Sequence, residues 1–207
     1  MMHPNPIFRN ETDKRNLAFV CERSFGLIAI NGDDGPLTAS VPALYNADTE
    51  CLEFHLNRTN PVAEGLAQAK KATFVFSGPD GYVSPDWYGV PDQVPTWNYV
   101  SVRIKREARL AEQGELHAIL DRLSAEFEGR LIPKKPWTID KMDATVLASM
   151  MAAIVPCVMR IETIDGTWKL NQNKPPAVQR VTADAIAQSS IGLATSDLAT
   201  QMRDKIK

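Results

Sequence analysis

The sequence predicts a mainly β fold with inserted helices, an antiparallel α+β chain, not an alternating β-α-β one. Three observations predict it. The apolar runs 25–30 and 37–44 are joined by the turn sequence NGDDG at 31–35, a hairpin signature. After a second short turn at 46–49, residues 51–56 alternate their side chains as the third strand of a meander does. The later strand-like runs, 72–76, 98–111 and 157–162, are separated by helices and loops of unequal length. Together they describe an antiparallel barrel of about six or seven strands, closed so that few edges stay exposed.

The elements follow in order. Pro4 and Pro6 mark an extended arm from which Phe8 packs onto the body, and 11–22 reads as a helix with Leu17, Ala18, Phe19 and Val20 near its end. After the third strand, Asn60 is a helix cap and Pro61 takes the first helical position, in a short helix expected to end near Lys70 and Lys71. A fourth strand leads into the run from Phe76 to Tyr99, rich in Gly, Pro, Asp and aromatic residues and expected to be a folded loop. Leu116, Ile119, Leu120, Leu123 and Phe127 recur on one face of a helix over 115–128. Past Pro133 and Pro136 a second helix starts at Thr138 or Asp140 and runs through Leu147–Met150, its methionines expected in the core. The last strand passes through an Asp165-Gly166 turn to Trp168, Lys169 and Leu170. Beyond Pro175 the chain is polar and alanine-rich, which suggests a helix from about Thr182 and then a fraying tail. The organisation read from this is a body, 1–175, and a helical tail, 176–207, with no break that marks two independent domains.

Composition narrows the function. The formal net charge of -2 gives no sign of a polybasic nucleic-acid binder, although a local basic patch would suffice for one. The three cysteines are widely spaced, without a Cys-x-x-Cys pair, and read as reduced thiols. No leader pattern and no apolar run approaching 18 residues is present, so no membrane partner and a cytoplasmic location are expected. His3, His55 and His117 have no partner at metal-ligand spacing, so no metal is expected. G-x-S-x-G, P-loop and G-x-G-x-x-G signatures are absent, which removes the usual sequence arguments for hydrolase, NTPase or Rossmann chemistry.

Several groups remain as site candidates. In the run 76–99, Trp87/Tyr88 and Trp97/Tyr99 flank a segment stiffened by prolines; it reads either as a surface loop or dimer contact, or as the wall of a cofactor pocket. Arg58 and Asn60 stand where a strand gives way to a capped helix, and a guanidinium there suits a phosphate; equally, Asn60 caps the helix and Arg58 is a solvated charge. Thr38 and Ser40 alternate on the second strand with their hydroxyls on one side, as in a ligand groove or an ordinary solvent face. Lys169, Asn171, Gln172 and Asn173 form a dense amide and ammonium cluster after Trp168.

The blocks HLNRTNP, GYVSPDWY, VPTWNYVSV and WKLNQNKP, in that order and spacing, closely resemble the PaiB-like family of FMN-binding proteins, often labelled negative transcriptional regulators. The resemblance covers roughly Pro4 to Pro175. It implies a split β-barrel related to pyridoxamine phosphate oxidase and flavin reductases, FMN as cofactor, and a homodimer with cofactor sites near the subunit interface. Carried over by motif, the cofactor-binding positions are Arg58 and Asn60, then Ser84, Trp87 and Tyr88, then Trp97 and Asn98, then Lys169, Gln172 and Asn173, with Thr38 and Ser40 added from the strand reading. Two positions depart from the pattern: Asn171 replaces a serine, and Val102-Arg103 stands where the family often has Val-His. On this resemblance the protein is a flavin- or redox-responsive regulator, with DNA as a partner on family grounds alone. The alternative is an FMN-dependent oxidoreductase or flavin reductase using NAD(P)H.

Overall fold

The computed structural model describes residues 3–206. Among the described residues eight strands, β1 (Phe25–Gly32), β2 (Gly35–Pro42), β3 (Leu44–Asn46), β4 (Cys51–Asn57), β5 (Lys70–Val83), β6 (Thr96–Leu110), β7 (Ile154–Arg160) and β8 (Thr163–Lys169), pair in the order β2-β1-β5-β6-β7-β4-β3, with β8 on β6. The pairs with a recorded register are all antiparallel. The mainly β, helix-inserted architecture expected from the sequence is therefore present. The chain divides into two compact units, each built from separated stretches. A barrel unit comprises 20–76 and 104–163, and a terminal unit comprises the stretch up to Phe19, 77–103 and the chain from Ile164 onward. No linker announces the division, because β5 (Lys70–Val83) and β6 (Thr96–Leu110) contribute one part of their length to each unit.

The barrel unit contains β1 (Phe25–Gly32), β2 (Gly35–Pro42), β3 (Leu44–Asn46), β4 (Cys51–Asn57) and β7 (Ile154–Arg160). The β1–β2 hairpin turns at Gly35, whose φ of 127° is open to glycine and strained for other residues. Alternate residues of β1 and β4 are buried, and β2 comes against β4, so the strands curl round a common core. Phe54 meets Phe74 edge-on at 5.5 Å, and Phe74 stacks on Phe76 at 4.8 Å. Gly26 leaves room for the Phe74 ring, since a Cβ there would lie 2.8 Å from it. Helix α3 (Leu116–Gly129) buries Leu116, Ile119 and Leu123 against β4 and β7, as its periodicity predicts.

In the terminal unit, β8 (Thr163–Lys169), most of which lies here, carries Trp168 into a buried cluster with α1 (Asp13–Arg23). The Trp168 indole N–H donates to Asn16 Oδ1 at 2.8 Å, Phe19 meets the ring edge-on, and the Arg15 guanidinium lies 4.3 Å from its centroid. Phe8 is buried, as the sequence suggests.

Five expectations need correction. Asp165-Gly166 is not a turn but lies inside β8. Helix α2 spans only Pro61–Gly65, because β5 already begins at Lys70. The segment taken as a loop from Phe76 is strand as far as Val83: Pro79, Gly81 and Val83 are buried on alternate positions, a period that the many turn-forming residues disguise. The methionines of α4 (Ala144–Ala152) are not core, since that helix has no buried residue and Met150 is 59% exposed. The C-terminal stretch carries helix as far as Asp204. Helix α5 (Pro176–Ala187) starts at its proline, and α6 (Thr195–Asp204) buries Leu198, Ala199 and Met202. Ahead of α6, Ile191 and Leu193 take up backbone hydrogen bonds with Tyr82 and Asp80 of β5. Cys157 is buried, and burial pushes its thiol up to about 12, while Cys21 and Cys51 are half-buried; all three are free thiols.

Candidate functional site

The terminal unit holds a cavity of about 350 Å³ whose walls come from the end of β8 and the loop ahead of β6. Ser84 begins that wall by accepting from the Asp86 amide, which caps a single 3-10 turn at Pro85–Tyr88; Gly89, at φ 64°, ends it. The turn drives Tyr88 inward, where its hydroxyl donates to Asn171 Oδ1 at 3.4 Å and burial raises its pKa. Lys169 donates to Thr96 Oγ1, and Lys174 donates to Gln93 Oε1 while lying 4.8 Å from the Tyr88 centroid. Neither lysine has a carboxylate partner among the described residues. Burial lowers the Lys169 pKa, so an anion beside it restores what desolvation of the ammonium costs. Asn171, held at φ 67°, lines the cavity with a buried Nδ2 that has no partner among the described residues.

A second feature of this unit is aromatic. Tyr82 lies between Trp87 and Trp97, with centroids 6.5 and 6.3 Å away and both rings edge-on to it. Trp97 is 46% exposed and, with Tyr99, borders a shallow groove of about 330 Å³. Asn98 points the other way. It is fully buried under α6, its amide N–H donates to Met202 Sδ at 3.6 Å, and its carbonyl oxygen has no partner among the described residues.

In the barrel unit, Arg58 Nε donates to Ala152 O at 3.1 Å, and Nη2 donates to Gln113 Oε1 and Ile154 O. All these acceptors are neutral, so the guanidinium keeps its full charge at an exposed position with Nη1 uncommitted among the described contacts. Asn60 Oδ1 accepts from Val62 N at 2.9 Å and caps α2. Thr38 and Ser40 are both exposed on one face of β2, opposite Ala29 and Leu27 of β1.

The twelve residues singled out in the sequence thus fall into local groups. Tyr88, Lys169 and Asn173 share the cavity wall, and Trp87 and Trp97 share Tyr82. Gln172 is a strut: its carbonyl accepts from Leu170 N, and its amide donates to Trp168 O and Ile7 O. Ser84 shapes a turn, and Asn98 is enclosed. Thr96, Lys174 and Tyr82 were not among the expected site residues; the signal for Lys174 was its place inside the WKLNQNKP block, while Asn171 stood in the expected amide cluster but was not carried over from the family pattern. Arg103, noted as a departure, forms an ion pair with Asp165 of β8 at 3.1 Å, which accounts for a cation at that position. No group of His, Cys, Asp and Glu among the described residues is arranged to hold a metal ion.

Residues 2–163 match the family model described as "Putative FMN-binding domain". The chain belongs to this family. It is 29% identical over 158 residues to "Protease synthase and sporulation protein PAI 2" of Bacillus subtilis (strain 168), a match that covers 75% of each chain. Two solved structures share the fold. The FAD and heme binding protein from Mycobacterium smegmatis matches at TM-score 0.57 and 15% identity, over 78% of this chain and 73% of that one. The flavocytochrome Anf3 from Azotobacter vinelandii matches at TM-score 0.59 and 11% identity, over 81% of this chain and 72% of that one. The fold is that of the flavin-binding split barrels, and by family the cofactor is FMN. Within the terminal unit the groups present suit such a ligand: Lys169 and Lys174, without carboxylate partners among the described residues, for a phosphate, the exposed Trp97 indole for a ring, and the Asn171 amide for a carbonyl. Bound FMN supplies a redox-active ring, and the protein's part is to hold and orient it.

Proposed function

We propose that this chain is a PaiB-like regulator whose partner affinity responds to the presence or redox state of its flavin. The family match over 2–163 carries the flavin part of this reading. Similarity to the Bacillus subtilis protein supports the PaiB-like part. In this reading Arg58 grips the FMN phosphate, because it combines an uncommitted edge with an uncompensated charge. Within the terminal unit, taken by itself, Lys169, Lys174 and Asn171 offer polar groups in one cavity, and Trp87 and Trp97 flank Tyr82. The alternative reading is an oxidoreductase or flavin reductase, with hydride passing from NAD(P)H to the flavin.

Replacing Arg58 by Ala is expected to weaken FMN binding tenfold or more and riboflavin binding little, measured by calorimetry on the flavin-free chain. An equal loss for both ligands would remove the phosphate role. Retardation of a promoter duplex that changes between oxidised and reduced flavin is the expected sign of regulation. NADPH oxidation dependent on FMN, with no duplex bound, would favour the enzyme instead.

We also infer that the chain pairs with a second copy. Phe25 and Leu27 are exposed on one face of β1, with Val75 opposite Leu27 on β5, and such an apolar strip on a sheet face suits an isologous contact. A monomeric mass in sedimentation at micromolar concentration would sink the pairing.

A further inference from the structure

We propose that the barrel unit carries a second ligand site, a groove of about 780 Å³ for a phosphate-bearing molecule of dinucleotide size. None of the residues assigned above to FMN lines it. Its floor is the outward face of three neighbouring strands. Ala29 of β1 sits opposite Thr73 of β5, and Asn31 of β1 opposite Pro36 of β2. Solvent-facing sheet positions ordinarily carry long polar or β-branched side chains, which fill the surface. Here Ala29 carries only a methyl group, which leaves a trough in the floor beside Thr73. Lys71 and Lys105 border the trough, and neither has a carboxylate partner among the described residues. Arg106 is paired with Glu162 at 2.5 Å, and Thr163 Oγ1 donates to Lys105 O at 3.3 Å, so the turn between β7 and β8 is fixed as an end wall.

Charge and size together select the ligand class. Two uncompensated ammonium groups favour a phosphate or pyrophosphate, whose oxygens accept from both. Glu107 on the same rim disfavours a long uninterrupted polyanion. With a whole-chain formal charge of -2, the groove is also poorly suited to tracking a duplex. The volume lies within the usual range for small-molecule sites, roughly 300–1,000 Å³. A nucleotide with its base on the Ala29–Thr73 floor and its phosphates between Lys71 and Lys105 satisfies both. The inference concerns binding only and does not rest on the flavin reading.

The test is calorimetry on the full chain as purified, with ADP and adenosine as probes and bound flavin recorded by absorbance. ADP is expected to bind at least tenfold more tightly than adenosine, with an advantage that shrinks as salt rises. The double variant Lys71→Ala/Lys105→Ala should lose that advantage and keep its flavin content, since these side chains are exposed and outside the flavin set. Thr73→Phe, which fills the floor and leaves the charge unchanged, should weaken ADP and adenosine alike. Absence of ADP binding, equal binding of ADP and adenosine, or unchanged ADP affinity in the lysine variant would overturn the proposal. So would a duplex that needs both lysines while ADP does not bind, because the face would then serve nucleic acid. A chain that takes up ADP but no flavin would keep this inference and remove the cofactor reading.

Discussion

Replacing Gly166 by Ala is expected to cost the terminal unit about 3 kcal/mol or more of stability. A Cβ at this position would lie 2.0 Å from Asn16 Oδ1 and 2.8 Å from Trp168 Nε1. Those two atoms are the partners of the buried hydrogen bond that ties β8 to the first helix. Both residues are almost wholly enclosed, so neither can move aside into solvent. A methyl group there must break the bond, leave an indole N–H and an amide oxygen unpaired, and displace a ring packed by Phe19 and Arg15. Urea unfolding of Gly166→Ala, followed by tryptophan fluorescence, should show a midpoint well below the parent's. A midpoint within error of the parent would mean that the Asn16–Trp168 contact is not rigid. Trp168→Phe is the matching control: it removes the N–H and should lose less than the glycine variant.

Removing Arg122 is expected to have the next largest effect. Glu53 on β4 is only 4% exposed, and it accepts from Arg122 Nε and Nη2 at 2.8 and 2.9 Å and from Asn46 Nδ2 at 2.8 Å. Taking away one partner of a buried pair costs up to about 3–5 kcal/mol, because the remaining charge stays enclosed without compensation. Arg122 itself is partly in solvent and Asn46 remains, so Arg122→Ala should lose about half of that. The double variant Arg122→Met/Glu53→Gln should recover much of the loss, since it removes both charges and retains a group that can meet Asn46. Thermal unfolding of the three variants decides this. If the single and double variants are equally destabilised, packing of the long side chain, not the carboxylate, holds α3 to the sheet.

The sequence made the barrel unit legible for a physical reason. Its strands bury one face, so Ile28, Ile30, Leu52, Phe54 and Leu56 recur with period two, and α3 repeats its leucines with the helical period. The terminal unit was harder. The second half of β5 reads SGPDGYV, and turn-forming residues conceal a strand whose alternation shows only once Pro79, Gly81 and Val83 are seen to be buried. The exposed methionines of α4 could not be told from core ones, since composition does not record which face finds a neighbour. Among the site candidates, Tyr88 was named as a ring on a proline-stiffened segment and Lys169 as an ammonium in an amide-rich cluster, and both line the cavity of the terminal unit. Asn98 and Gln172 could not be sorted that way. The same amide can reach a ligand, a thioether or a carbonyl, and burial under α6 settles only where Asn98 lies.

The three backbone hydrogen bonds that Ile191 and Leu193 share with Asp80 and Tyr82 also protect against self-association. β1 pairs with β5 only as far as Val75, so beyond that residue the same margin of β5 would otherwise display bare amides and carbonyls. The residues between α5 and α6 cover that margin, and Gly192, at φ 141° and too close to Asp80 O for any side chain, lets them lie flat on it. A chain cut ahead of Ile191 would lose more than the helix α6: it would present a sticky ribbon flanked by aromatic residues, a template for growth into insoluble β-aggregates.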